Sequence, residues 1–236
     1  MRSFVVMAMF AASLAHAGWR DYSEVRDLKI SSDGIAGLEV EAGAGSLEVT
    51  GVPGGRNIVV VATITIENAN DDEAGEIIAS NLTLMLERDG DRAQLKAYFD
   101  RADWGHSSNA TINLEVKVPT GVSLKVHDGS GSIDVNDITA DILIDDGSGS
   151  IKVGNAGSLS IDDGSGSISV IGASGDVSIV DGSGSITVRK VGGSVTIDDG
   201  SGSIEVHDIE KDLIIENDGS GSVSISGVRG HVEHDS

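Results

Sequence analysis

The sequence predicts an all-β chain: a single-stranded parallel β-solenoid (β-helix) of about 18 residues per coil. An irregular β-rich N-terminal capping region with at most one short helix is expected to precede it. Three observations carry this. From about Gly121 onward, Asp-Gly-Ser-Gly-Ser followed by Ile or Val recurs six times, starting at Asp128, Asp146, Asp163, Asp181, Asp199 and Asp218, at intervals of 18, 17, 18, 18 and 19. Within each unit the apolar residues alternate with polar ones, as in Ile133, Val135, Ile138, Ile142 and Ile144, or Ile186, Val188, Val191, Val195 and Ile197. Such alternation is the period of strands, and Val and Ile suit a pleated surface. Finally, no aromatic residue follows Trp104, which fits a thin interior of stacked small side chains.

The composition narrows the alternatives. The 236 residues are 39% hydrophobic but only 3% aromatic, with 32 Gly, 2 Pro and no Cys. Collagen, disulfide-stapled miniproteins and thiolate metal sites each need a composition this chain lacks, and without cysteine there is no lipobox. A net charge of −22 repels nucleic acid and anionic membranes and leaves cations or cationic partners.

In chain order, Arg2, the apolar run from Phe4 to Leu14 and Ala15-His16-Ala17 read as a secretory signal with cleavage near Ala17-Gly18. The run is too short to span a bilayer, and no later apolar run reaches that length. The expected organisation is a signal peptide over 1–17, a β-rich region over 18–120 that starts or caps the solenoid, and the repeat over 121–236. The compartment is expected to be extracytoplasmic, either periplasm or cell surface.

In the capping region, Asp71, Asp72 and Glu73 leading into Ala74, Ile77 and Ile78 predict a short helix over 71–80. Leu82, Leu84 and Leu86, then Asp89-Gly90, then Ala93, Leu95, Ala97 and Phe99 predict a β-hairpin. Ile112, Leu114, Val116 and Val118 predict a strand closed by Pro119. Trp19, Tyr22, Tyr98, Phe99 and Trp104 all lie here, so a bulkier core is expected, with Trp104 packing in core or cap. Gly43-Ala44-Gly45-Ser46-Leu47-Glu48-Val49 reads as a degenerate coil.

Each repeat carries two short strands joined by glycine-rich turns. One unit alone cannot offset the entropy of ordering about eighteen residues. Stacked coils hydrogen-bond to one another at about 4.8 Å and share a continuous core. A propeller needs blades of about forty residues.

The repeated Asp-Gly-Ser-Gly-Ser-Ile-x-Val, the second Val-x-Ile strand, and the preceding Leu114-Glu115-Val116-Lys117-Val118-Pro119-Thr120-Gly121 resemble the bacterial putative-adhesin family of β-solenoid domains of unknown function. The likeness runs from about Leu38 to the C-terminus. It implies a parallel β-solenoid in an extracytoplasmic bacterial protein and supplies no catalytic residues.

Stacking in register places Asp128, Asp146, Asp163, Asp181, Asp199 and Asp218 in one column, several beside a second acid such as Asp145, Asp162 or Asp198. Carboxylates about 4.8 Å apart repel by about 0.9 kcal/mol per pair even in water. Two readings follow. Either each Asp accepts a backbone N–H at its turn and the column stays solvated, or Ca²⁺ occupies a cation ladder. The order of acids and glycines matches neither calcium β-rolls nor EF-hands, and no cofactor is expected. The serines are expected to form hydroxyl ladders or to face water. His127 and His207 sit at different offsets and read as surface residues. No phosphate loop or nucleophile elbow appears, so no enzyme is expected.

The functional expectation is a non-enzymatic adhesin-like solenoid whose repetitive acidic Ser/Gly/Asp surface binds a cell-surface polymer or envelope protein. The alternative is a periplasmic assembly module with end-to-end self-association at its coil edges. There, His231, Glu233, His234 and Asp235 read as polar protection, with His234 at an offset held by Ile in earlier units. Ice binding by a flat Ser-rich face is more remote.

Overall fold

The computed structural model describes residues 8–9, 21–100 and 109–234. The segment predicted as a signal peptide, apart from a two-residue pairing of Ala8–Met9 with Arg26 and Asp27, lies outside them, as do Trp19, Trp104 and Asp235.

The repeat is a parallel β-solenoid. Each interior coil contributes a longer strand, such as Gly149–Ala156, Gly166–Ala173, Gly184–Val191 and Gly202–Ile209. It also contributes a five-residue strand, such as Ile142–Asp146, Leu159–Asp163, Val177–Asp181 and Val195–Asp199. Longer strands pair only with longer strands of neighbouring coils and shorter with shorter, all parallel and in register, so Ile151 faces Ile168 and Ile161 faces Ile179. Identical residues therefore stack into columns. Ile133, Ile151, Ile168, Ile186 and Ile204 form one and Val135, Val153, Val170, Val188 and Val206 the next, and all ten are buried.

The irregular intervals have local causes. The register offset falls from 18 to 17 residues between Asn136↔Gly154 and Ile142↔Leu159, so the missing residue lies in the turn between those strands. The extra residue of the last interval is a bulge, where Asp198 faces Asn217 instead of Glu216.

Two turn columns show why particular residues are required. At the second glycine of Gly-Ser-Gly the backbone is left-handed, with φ of 149° at Gly149 and 148° at Gly166, and a β-carbon at Gly166 would sit 1.4 Å from the Gly149 carbonyl oxygen. Only glycine fits there. At the other turn, Asp137, Asn155, Lys190 and Asp208 have φ of 52–61°. Asn and Asp tolerate that region, and Asn155 Nδ2 donates to Asp137 Oδ1 at 2.9 Å.

The degenerate first coil is real. Gly37–Val52 aligns with Ser123–Asn136, with Leu38 facing Leu124, Val40 facing Val126, Ala42 facing Asp128 and Leu47 facing Ile133. The intervening segment leaves the stack and returns over this coil. Arg92–Phe99 and Ala110–Pro119 add parallel strands on its far edge. Antiparallel partners finish the cap: Leu82–Asp89 beside Arg92–Phe99, Asn57–Ile66 beside Ala110–Pro119, and Tyr22–Ser31 outermost.

The predicted helix spans Asp71–Asn81 and opens with a capping box. Asn70 accepts from the N–H groups of Asp72 and Glu73 at 3.1 and 3.0 Å, while its own N–H donates to Glu73 Oε2 at 3.2 Å. The hairpin forms with Gly90 and Asp91 as its loop.

The expectation of a bulkier cap core is corrected. No aromatic residue among those described is buried. Tyr22 and Phe99 pack only partly, against the small cluster of Ile66, Ala69, Ala74 and Ala110. The cap interior is Leu38, Val40, Ile58, Ile64, Leu86 and Leu95, continuous with the repeat, because strands stacked on an aliphatic column must match its width.

At the far end the last coil is open. Val223, Ile225 and Val228 are only partly buried and Val232 is 41% exposed. His234 occupies the isoleucine column opposite Ile215 and lies 2.9 Å from Asp218.

Candidate functional site

The five-residue strands determine where the repeated aspartates point. Ile142, Ile144 and Asp146 are alternate residues, so all three face inward; the same parity holds for Leu159, Ile161 and Asp163, and for Val195, Ile197 and Asp199. The aspartate is thus a sixth interior column beside five aliphatic ones. Asp128, Asp146, Asp163, Asp181 and Asp199 are 8, 3, 2, 2 and 0% exposed.

This corrects the expectation of a solvated column, although the expected turn hydrogen bond is present. The N–H groups of Ser148, Ser165, Ser183 and Ser201 donate to Oδ1 of Asp146, Asp163, Asp181 and Asp199 at 3.1–3.3 Å. The N–H groups of Gly147, Gly164, Gly182 and Gly200 donate to the aspartate carbonyls of the coil before. Oδ2 of these four residues and both oxygens of Asp128 are buried without a partner.

Burial above all, with the Asp146 carboxylate adding, pushes Asp128 up to about 7. Burial and neighbouring carboxylates push Asp146 and Asp181 up to about 6. Asp163 and Asp199 are raised for the same first reason. Asp218 differs. The bulge sets Asn217 opposite Asp198, so Asp218 continues the column beyond Asp199, but on the open last coil it is only partly buried and pairs with His234.

Among the described residues no three His, Cys, Asp or Glu side chains converge as metal ligands. Stacking explains this, since each coil offers one inward carboxylate and the neighbouring acid, such as Asp145 or Asp162, points outward.

Among the described residues the histidines are scattered, His127 and His207 partly buried and His231 and His234 exposed. His127 lies 3.1 Å from Asp145, and His207 lies 2.7 Å from Glu205 and also contacts Ser226. The second serine of each Gly-Ser-Gly-Ser is exposed, and one hydroxyl pair bridges coils, Ser222 to Ser203 at 3.2 Å.

The outward side of the shorter strands forms an open groove of about 670 Å³ that crosses five successive coils. Its floor is one residue per coil, Lys125, Leu143, Ser160, Ser178 and Thr196, with Arg92 at the capped end. Lys125 is held by Glu39 at 3.0 Å. Sequence reasoning missed this surface because the groove arises from the contour between turns, not from any unusual residue.

Among the described residues no helix is long and apolar enough to cross a membrane. No family model matches the chain, and no curated protein does. Solved structures do resemble it. A putative cell adhesion protein from Clostridium sporogenes is 11% identical, with a TM-score of 0.38, over 91% of this chain and 98% of that one. A putative lipid binding protein from Parabacteroides distasonis is 15% identical, with a TM-score of 0.42, over 89% and 96%. A putative adhesin from the same organism is 14% identical, with a TM-score of 0.29, over 90% and 97%.

Proposed function

We propose that this chain is a non-enzymatic, extracytoplasmic, adhesin-like β-solenoid that binds a cell-surface polymer or envelope protein along the outward face of its shorter strands. The observation that carries the reading is the groove. Five rungs present one side chain each at regular spacing, without a convergent cluster of acids, bases and nucleophiles. A surface that repeats at about 4.8 Å favours an extended partner contacted many times weakly over a small molecule gripped once. Outward Asp145, Asp162 and Asp198 flank the floor and supply its acidic character, a role the buried column cannot play.

The test is capture from glycan and envelope-protein arrays by the full chain. Selective binding that is lost in a Ser160→Arg, Ser178→Arg double variant but kept in Ser169→Arg, on the longer strands, is the expected result. Absence of any selective partner defeats the proposal.

A further inference from the structure

We infer that the interior column of Asp128, Asp146, Asp163, Asp181 and Asp199 is a proton-binding spine, onto which the solenoid takes protons as its surroundings turn mildly acidic, becoming more stable as it does so. The geometry comes first. Five carboxyl side chains, each more than nine-tenths buried, stand on successive rungs about 4.8 Å apart. Each keeps at least one oxygen that is buried and unpartnered. A buried ionised carboxylate without a counter-charge is costly, and neighbours of the same sign add to the cost. A proton removes the charge and turns one oxygen into a donor.

Among the described residues, none around the column supplies the missing positive charge. Along each strand the adjoining acids are Asp145, Asp162 and Asp198; beyond Asp199 stands Asp218; and over Asp128 sits Ala42, with Ala97 above it. The nearby histidines are engaged with the column's neighbours, His127 with Asp145 and His234 with Asp218.

The direction of the pH effect follows. An unfolded aspartate titrates near about 4, whereas Asp128 is raised to about 7 and Asp146 and Asp181 to about 6. Across that window the folded chain holds protons that the unfolded chain releases, so stability falls as pH rises from about 4 to 7 and is regained on acidification. Ordinary acid unfolding has the opposite sign.

The experiment uses the full chain. Thermal unfolding is followed between about pH 8 and pH 5, alongside carbon-detected NMR titration of the aspartate carboxyls, which separates them from His127, His207 and His234. The expected results are a melting temperature that climbs toward pH 5 and a set of carboxyl resonances with midpoints near 6 to 7. Asp163→Asn and Asp181→Asn, which mimic the neutral acid and keep the oxygen that accepts the serine N–H, are expected to raise the melting temperature at pH 8 and flatten its pH dependence. Carboxyl resonances that all titrate near 4, or a melting temperature that falls on acidification, overturn the inference. So does a rise with calcium at pH 8 unaccompanied by a rise with acid, which would give the column to a cation. Should the Asn variants fail to fold, the titration of the unmodified chain decides alone.

Discussion

In the repeat, a β-carbon added to Gly166 would meet the Gly149 carbonyl oxygen at 1.4 Å; in the cap, one added to Gly90 would find nothing within 4 Å. Both glycines have left-handed backbones, yet only one is walled in by another coil. The contrast extends to the whole of each region. The inward positions and turn glycines of a repeat coil are answerable to the same positions above and below, so their residue type is repeated down a column, while the outward positions vary. Cap strands meet partners of different sequence through antiparallel pairing, and their residues need only agree in size and polarity. Stacked repeats trade freedom of sequence for a rule that each rung enforces on the next.

The largest expected effect separates the two regions most sharply. Gly166→Ala is expected to destabilise by more than about 4 kcal/mol, since neither backbone can retreat without breaking the ladder, while Gly90→Ala costs about 1–2 kcal/mol for its left-handed φ alone. Equal losses in urea unfolding would erase the distinction. Next in size, Ile179→Ala in the repeat and Leu95→Ala in the cap should each cost about 2–5 kcal/mol. Because both belong to one continuous cluster, circular dichroism and hydrogen exchange of cap and repeat amides should report a single transition for either variant, and two separated transitions would show that cap and repeat fold apart. The smallest effect has the opposite sign. Gly75 is exposed within the Asp71–Asn81 helix with nothing within 4 Å of an added β-carbon, so Gly75→Ala should stabilise the protein by about 0.8–1 kcal/mol. A loss in the melting curve would show that this helix is constrained in some other way.

Much of this was legible in the residues. The period of the Asp-Gly-Ser-Gly-Ser segment implied stacked coils, alternation implied two strands in each, and Gly43 to Val49 betrayed the first coil. The interval of 19 before Asp218 already held the bulge at Glu216. The inward aspartates were legible too, because Ile142, Ile144 and Asp146 share parity, but the usual preference of a charged side chain for water argued the other way. Periodicity won, since turning one residue of a registered strand outward would displace the ladder on both sides. The cap was harder. Its helix and hairpin are local and could be anticipated, whereas the pairing of Tyr22–Ser31 with Asn57–Ile66, and the return of Arg92–Phe99 over the first coil, depend on contacts between distant segments that no local pattern encodes.

The detour that separates Gly37–Val52 from Ser123–Asn136 closes one end of the molecule and leaves the inner rungs nearly equivalent to their neighbours. A gene encoding such a chain can therefore grow or shrink by in-frame duplication or loss of a single module, each changing the reach of the protein by about 4.8 Å while the lid stays untouched.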